Sequence, residues 1–285
     1  MLTAMALGLP PLNPYLNKNA SFNNGVNFAV GSATTLDHSF YLARGINTIP
    51  SPSLAPQLCW FKTYLSSICS TPTDCADKLK GSLFIVGEFG YNDINYPYHR
   101  GRTIEEIQTA FVPFVNQLII NSARELIQLG VSQVVVPGNF PLGCFPTFLS
   151  VARKNRSTAY DDFGCVESLN DLTSYENDEL QRALDSLRME FPNTVILYAD
   201  YYNAFLSLLR QATTFGFDTE KLLTPCCGDD GVYDLTLPTF CGGVGVPVCS
   251  NPNVRIHWDG IHLTQEAYRR MSEIIIGNLG INCTQ

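Results

Sequence analysis

The chain is short of charge, and of positive charge above all. Among 285 residues there are 18 Lys and Arg against 26 Asp and Glu, a formal net charge of −8. The basic residues are scattered, so no patch is available to neutralise phosphates, and nucleic acid is set aside as a partner. No apolar run approaches the ~20 residues that a membrane-spanning helix needs. Only 15% of the chain is charged, yet 45% is hydrophobic and 11% aromatic, which excludes a disordered chain and suffices for a core. Internal repeats and linkers are missing, and the length suits a single domain over residues 1–285. Paired C-x-x-C and H-x-x-x-H spacings are also missing, which removes the usual tetrahedral zinc site.

Cysteine, by contrast, is plentiful. The ten are Cys59, Cys69, Cys75, Cys144, Cys165, Cys226, Cys227, Cys241, Cys249 and Cys283, and three N-glycosylation triplets begin at Asn19, Asn155 and Asn282. An even, high count beside such triplets points to disulfides formed in an oxidising, secretory compartment. Cys69–Cys75 would close a small loop, and the region from Cys226 to Cys249 would form a second stapled segment. The opening MLTAMALGLPPLNPYL does not read as a signal peptide. No Lys or Arg precedes its short apolar stretch, which runs straight into Pro10 and Pro11. The expectation is a protein kept inside the cell or a sequence whose start is missing.

Hydrophobic spacing places the elements. Residues 1–60 are rich in Gly, Pro, Asn and Ser, with one strand-like piece at Val26–Val30. Short apolar runs at Leu83–Val86, Gln133–Val136 and Val195–Ala199 read as buried strands. Three-four spacing from Ile104 to Leu129 predicts an amphipathic helix, bent or begun near Pro113 and stopped by Gly130. Further helices are predicted over Leu169–Met189, Ala204–Gln211 and about Gln265–Leu279, the last capped by Thr264. Residues 224–254 read as a Cys-, Gly- and Pro-rich loop. Apolar strands alternating with helices imply an α/β fold with a covered parallel sheet, whose ligands bind at the carboxyl ends of the strands.

Three segments could carry chemistry. In Trp258-Asp259-Gly260-Ile261-His262-Leu263-Thr264, Asp259 can accept a hydrogen bond from one ring nitrogen of His262, leaving the other to take a proton. In Gly90-Tyr91-Asn92-Asp93, the Asn92 amide can donate to a developing oxyanion, and glycine lets backbone approach closely. In NFAVGSATTLD, from Asn27 to Asp37, a turn of small residues exposes backbone N–H groups to an anion. Each segment alone has an ordinary reading as a turn or a helix entry. The other histidines, His38, His99 and His257, show no ligand spacing and read as structural or exposed.

In this order, NFAVGSATTLD, LFIVGEFGYNDINY and WDGIHLT resemble three blocks of the plant GDSL esterase/lipase family, a branch of the SGNH hydrolases. The likeness extends to LGLPPLNPYL, VVVPGNFPLGCFPTFL and the Cys226-Cys227-Gly228 triplet, and covers essentially the whole chain. The wording GEFGYNDINY is most similar to the branch of acetylajmaline-esterase-like and sinapine-esterase-like enzymes. The resemblance implies an SGNH (flavodoxin-like) three-layer α/β fold with a parallel sheet. It also implies a carboxylic ester hydrolase with a serine acyl-enzyme mechanism, small acyl or aryl esters as substrates, no metal or organic cofactor, and an extracellular or secretory location. His262 would be the general base and Asp259 its partner. Asn92, Gly90 and the backbone at Ser32 would form the oxyanion hole.

Two departures stand out. The family has glycine where Ser32 aligns, and a positive φ there would strain the serine. More seriously, the family's Gly-Asp-Ser block, which holds the nucleophile just after the first strand, is absent, and no G-x-S-x-G replaces it. The expectation is a chain truncated at its N-terminus relative to the family, lacking the first strand and impaired as an enzyme. The alternatives are a catalytically inactive ester- or metabolite-binding protein and a truncated gene model. Losing an internal strand would leave backbone groups unpaired at ~1–3 kcal/mol each, so poor stability, or a shift of the NFAV strand into the gap, is expected.

Overall fold

A computed structural model describes residues 4–5, 7–228 and 241–280. The sequon at Asn282 and Cys283 lie outside the described residues. The chain separates into two compact units. Pro10–Asn139 with Tyr175–Asp200 form a sheet unit; Met1–Leu9, Phe140–Ser174 and Tyr201–Gln285 form a helical unit.

The sheet unit is built on three parallel strands in the order β3-β4-β5: Leu83–Ile85, Gln133–Pro137 and Val195–Ala199. Leu83 pairs with Gln133, which pairs with Val195, so the strands are in step from their first residues. Parallel pairing demands long crossovers, and helices supply them. In chain order the helices are α1 (His38–Leu42), α2 (Leu54–Ile68), α3 (Pro72–Leu79), α4 (Tyr91–His99), α5 (Ile104–Ala110) and α6 (Val112–Gln128). The alternation of β4 turns Val134 and Val136 into one apolar cluster with Ile196 of β5. Phe61 and Leu65 of α2 join that cluster, as do Val115, Ile119 and Leu126 of α6 at helical spacing. The pattern from Ile104 to Leu129 thus resolves into two helices separated at Phe111, with Pro113 in the first turn of α6, where its missing N–H costs nothing. Thr103 and Glu106 form a reciprocal capping box at the start of α5.

The strand expected at Val26–Val30 shrinks to β2, Val26–Asn27, and pairs in parallel with β1, Asn13–Pro14. It does not join the main sheet, so the shift into a gap is not seen, and β3 stands at one edge of the three-strand order. The first sixty residues hold more helix than their composition suggests. Cys69 ends α2 and Cys75 lies in α3, and the disulfide between them joins the two helices, as the spacing predicts.

The helical unit carries α7 (Pro146–Ala152), the first turns of α8 (Glu167–Glu190), α9 (Tyr201–Arg210), α10 (Ala212–Phe215) and α11 (Gln265–Leu279). Phe145 and Phe205 stack at 5.3 Å between centroids, and both pack on the ring of His257. Thr264 caps α11 by accepting from the Ala267 N–H at 3.2 Å. Disulfides Cys144–Cys165, Cys226–Cys249 and Cys227–Cys241 brace this unit, and Cys59 of the sheet unit is free and exposed. Among the described residues no helix is long and apolar enough to cross a membrane.

Candidate active-site residues

In the helical unit, Asp259 and His262 are a pair. Asp259 Oδ1 accepts from the backbone N–H of Ile261 at 2.7 Å and of His262 at 2.6 Å, a local turn that an aspartate can make with its own backbone. Its other oxygen lies 2.8 Å from His262 Nδ1. An ionised carboxylate only accepts, so Nδ1 carries the proton and Nε2 is the nitrogen that takes one. Burial pushes the Asp259 carboxyl up, but hydrogen bonds from the His262 ring and backbone outweigh it and hold the group below its ordinary value. The His262 side chain is 63% exposed, that of Asp259 19%.

The frame of this loop is backbone. His257 and Leu263 form an antiparallel bridge, and Trp258 N–H donates to His262 O at 2.9 Å. Thr147 N–H holds Gly260 O at 3.0 Å, and the Thr264 hydroxyl donates to Arg255 O at 2.6 Å. His257 is fully buried, and desolvation pushes its imidazole down to about 3 against the pull of Asp259, so it is neutral at physiological pH. It belongs to the core, as expected of the histidines outside the motif. His38 meets Thr48 at 2.6 Å, and His99 is exposed at the end of α4.

In the sheet unit, the structure draws the other two motifs together. Asn92 Nδ2 donates to Ala33 O at 2.8 Å, which puts the Asn92 amide one residue from Ser32. Asp93, fully buried beside it, accepts from Thr35 N–H at 2.9 Å, Thr35 Oγ1 at 3.0 Å and Leu36 N–H at 3.2 Å, and from the Tyr41 hydroxyl. Desolvation nevertheless keeps the Asp93 carboxyl above its ordinary value. Ser32 adopts φ 62°, the left-handed region, so the strain anticipated for a serine at this turn is present, on the order of 1 kcal/mol.

Gly90 caps α4 with φ 109°. A Cβ there would lie 2.6 Å from Glu176 Oε1 and 3.0 Å from Asn139 Nδ2, so both conformation and space demand glycine. Glu176 and Asn139 escape the linear reading. Asn139 follows β4, and its amide donates to Glu176 Oε2 at 3.0 Å; its backbone is held by Asn177 at 2.7 and 2.9 Å. Burial pushes the Glu176 carboxyl up to about 8, outweighing the Asn139 hydrogen bond, with Asp93 and Glu88 adding to the rise. Nothing in the spacing joins position 90 to position 176. The only hint is polar Glu176 and Asn177 on a helix face that continues as Leu180, Leu184 and Leu187.

Cys144, Asp161 and Cys165 bring three metal-ligating atoms together, but the two sulfurs are bonded to each other and cannot serve as thiolate ligands.

Fold and side chains define the class: a parallel α/β protein bearing a carboxylate-oriented imidazole and an asparagine amide beside a tight turn. The chain matches the GDSL-like lipase/acylhydrolase family over residues 2–275 and belongs to it. It is therefore an ester-bond hydrolase by class. It is 51% identical to acetylajmalan esterase 1 of Rauvolfia serpentina over 278 residues, 97% of this chain and 72% of that protein. A second Rauvolfia serpentina protein, acetylajmalan esterase, is 52% identical over 274 residues, 96% of this chain and 70% of its own. A GDSL esterase/lipase of Arabidopsis thaliana is 45% identical over 265 residues, 91% of this chain and 80% of its own.

Proposed function

We propose that His262 is the general base and proton shuttle of ester hydrolysis, with Asp259 fixing its tautomer. Asn92 and the backbone N–H groups of Ser32 and Gly90 donate to the oxyanion. The observation that carries this reading is the 2.8 Å contact between His262 Nδ1 and Asp259, on a side chain exposed enough to reach a substrate. The substrate is a small acyl or aryl ester, and the names of the Rauvolfia relatives favour an acetyl ester of a plant metabolite. The 285 residues form one hydrolase domain. These residues hold no Gly-Asp-Ser triplet, and the part of the chemistry assigned to them is the proton transfer at His262 and the binding of the oxyanion. Four disulfides and exposed sequon residues Asn19 and Asn155 support a secreted, glycosylated protein.

The test is hydrolysis of p-nitrophenyl acetate by the purified chain and by His262→Ala, Asp259→Asn and Asn92→Ala. His262→Ala and Asp259→Asn should lose ~10²–10⁴-fold and Asn92→Ala ~10²–10³-fold; turnover unchanged in His262→Ala refutes the assignment. The left-handed Ser32 in the oxyanion turn, φ 62°, favours a second reading, an ester-binding protein without turnover, and saturable binding of acetyl esters at zero hydrolysis would establish it. The intact mass of the deglycosylated native protein tests for a serine block: a value several kilodaltons above the 31.5 kDa of these 285 residues means that one accompanies them in the cell.

A further inference from the structure

Asp259 meets the His262 ring at 2.8 Å, so the backbone that carries both residues sets the geometry of the pair. Beyond Asp259 the backbone is attached through Thr147 N–H on Gly260 O, and the loop closes on itself through Thr264 N–H on Ile256 O and Trp258 N–H on His262 O. Ahead of Asp259, the carbonyls that the loop leaves for other segments are met by two adjacent half-cystines. Cys226 N–H donates to His257 O at 2.9 Å, and Cys227 N–H donates to Trp258 O at 2.7 Å. The second acceptor is the carbonyl of the peptide unit leading into Asp259.

This arrangement is irregular in a telling way. In an ordinary strand, consecutive N–H groups point to opposite sides, so only one of two neighbours can reach a given partner. Here both reach consecutive carbonyls of one segment, with the chain bent at Cys226 and Gly228 on either side of the bridge from Cys227 to Val248. Each cysteine is tied behind the bend, Cys226 to Cys249 and Cys227 to Cys241, and Cys249 N–H closes on Cys226 O at 2.7 Å. Both cysteines are buried, at 4% and 1% exposure.

We propose that Cys226 and Cys227 are positioning residues of the Asp259–His262 pair: their two disulfides hold a bent backbone whose paired N–H groups set the peptide unit ahead of Asp259. The proposal rests on reading His262 and Asp259 as the proton-transfer pair, but its test reads their geometry and not turnover. A failure of ester hydrolysis therefore leaves it standing or falling separately.

The experiment compares the wild-type chain with Cys226→Ala/Cys249→Ala, Cys227→Ala/Cys241→Ala and a control, Cys69→Ala/Cys75→Ala, whose disulfide lies in the sheet unit. The readouts are the ring ¹⁵N tautomer of His262 by NMR and hydrogen exchange at the Trp258 amide, which donates to His262 O. The wild type and the control should show one tautomer with the proton on Nδ1. Each clamp variant should show a mixture, with Trp258 exchange about tenfold faster or more, while circular dichroism shows the fold retained. A single tautomer and unchanged exchange in a folded clamp variant would overturn the proposal. Should the variants not fold, graded reduction of the native protein replaces them, with differential alkylation reporting which pair has opened. Loss of the single tautomer in step with the Cys226 or Cys227 bridge supports the clamp, and persistence after both have opened refutes it.

Discussion

Replacing Glu176 by glutamine keeps the shape of a buried side chain and removes its ability to ionise. In the folded protein burial raises this carboxyl from 4.5 to about 8. Unfolding exposes it to water, where it ionises at its ordinary value. Between those two pH values the unfolded chain has released a proton that the folded chain keeps, so stability falls as pH rises. The contribution is fully present below about 4.5 and is lost as pH climbs through about 8. At ~1.4 kcal/mol per pH unit, the loss is at most about 5 kcal/mol over the whole window and about 3 kcal/mol by pH 7. That is comparable to the entire net stability of many domains. Glu176→Gln should retain the hydrogen bond with Asn139 and be free of this loss. Urea unfolding of both proteins at pH 5, 6, 7 and 8 measures the difference directly. The variant should gain on the wild type with each step upward. Asp93, shifted in the same direction, stays in both proteins, and the relief of its repulsion with Glu176 is part of the difference measured. Parallel curves would mean that Glu176 is already ionised in the folded protein, and the reading of its surroundings would be wrong.

Gly90→Ala must place a methyl group 2.6 Å from Glu176 Oε1 at φ 109°, and should cost about 2–4 kcal/mol in chemical denaturation; less than 1 would show that α4 can move away. Phe145→Ala removes a ring that is 1% exposed and contacts both Phe205 and His257, and should cost about 3–5 kcal/mol by the same measurement. The Asp259 carboxyl, held below its ordinary value, gives stability that is present above pH 3.8 and lost as pH falls through the depressed value. A ¹³C NMR titration should find its midpoint below 3.8 in the wild type and shifted upward in His262→Ala; a midpoint unaffected by the substitution would deny the pairing.

Local chemistry made part of this protein legible from its sequence. Asp259 reaches His262 because three residues on a turn are within reach of one another whatever surrounds them, and Thr264 caps α11 for the same reason. The strands at Leu83, Gln133 and Val195 announce themselves as short apolar runs, but the burial expected of all three holds only along β4, from Val134 onward, since Ile85 of β3 and Val195 of β5 are exposed. The first sixty residues misled, since Gly, Pro and Asn around Leu54–Ile68 hide a helix whose apolar face is completed only by distant partners. Tertiary structure alone decided that Asn92 would meet Ala33, that Asp93 would close on Thr35 and Tyr41, and that Glu176 would fill the space beside Gly90. These contacts join positions 52 to 86 residues apart, and burial, which no local pattern encodes, gives the carboxyls among them their altered acidity.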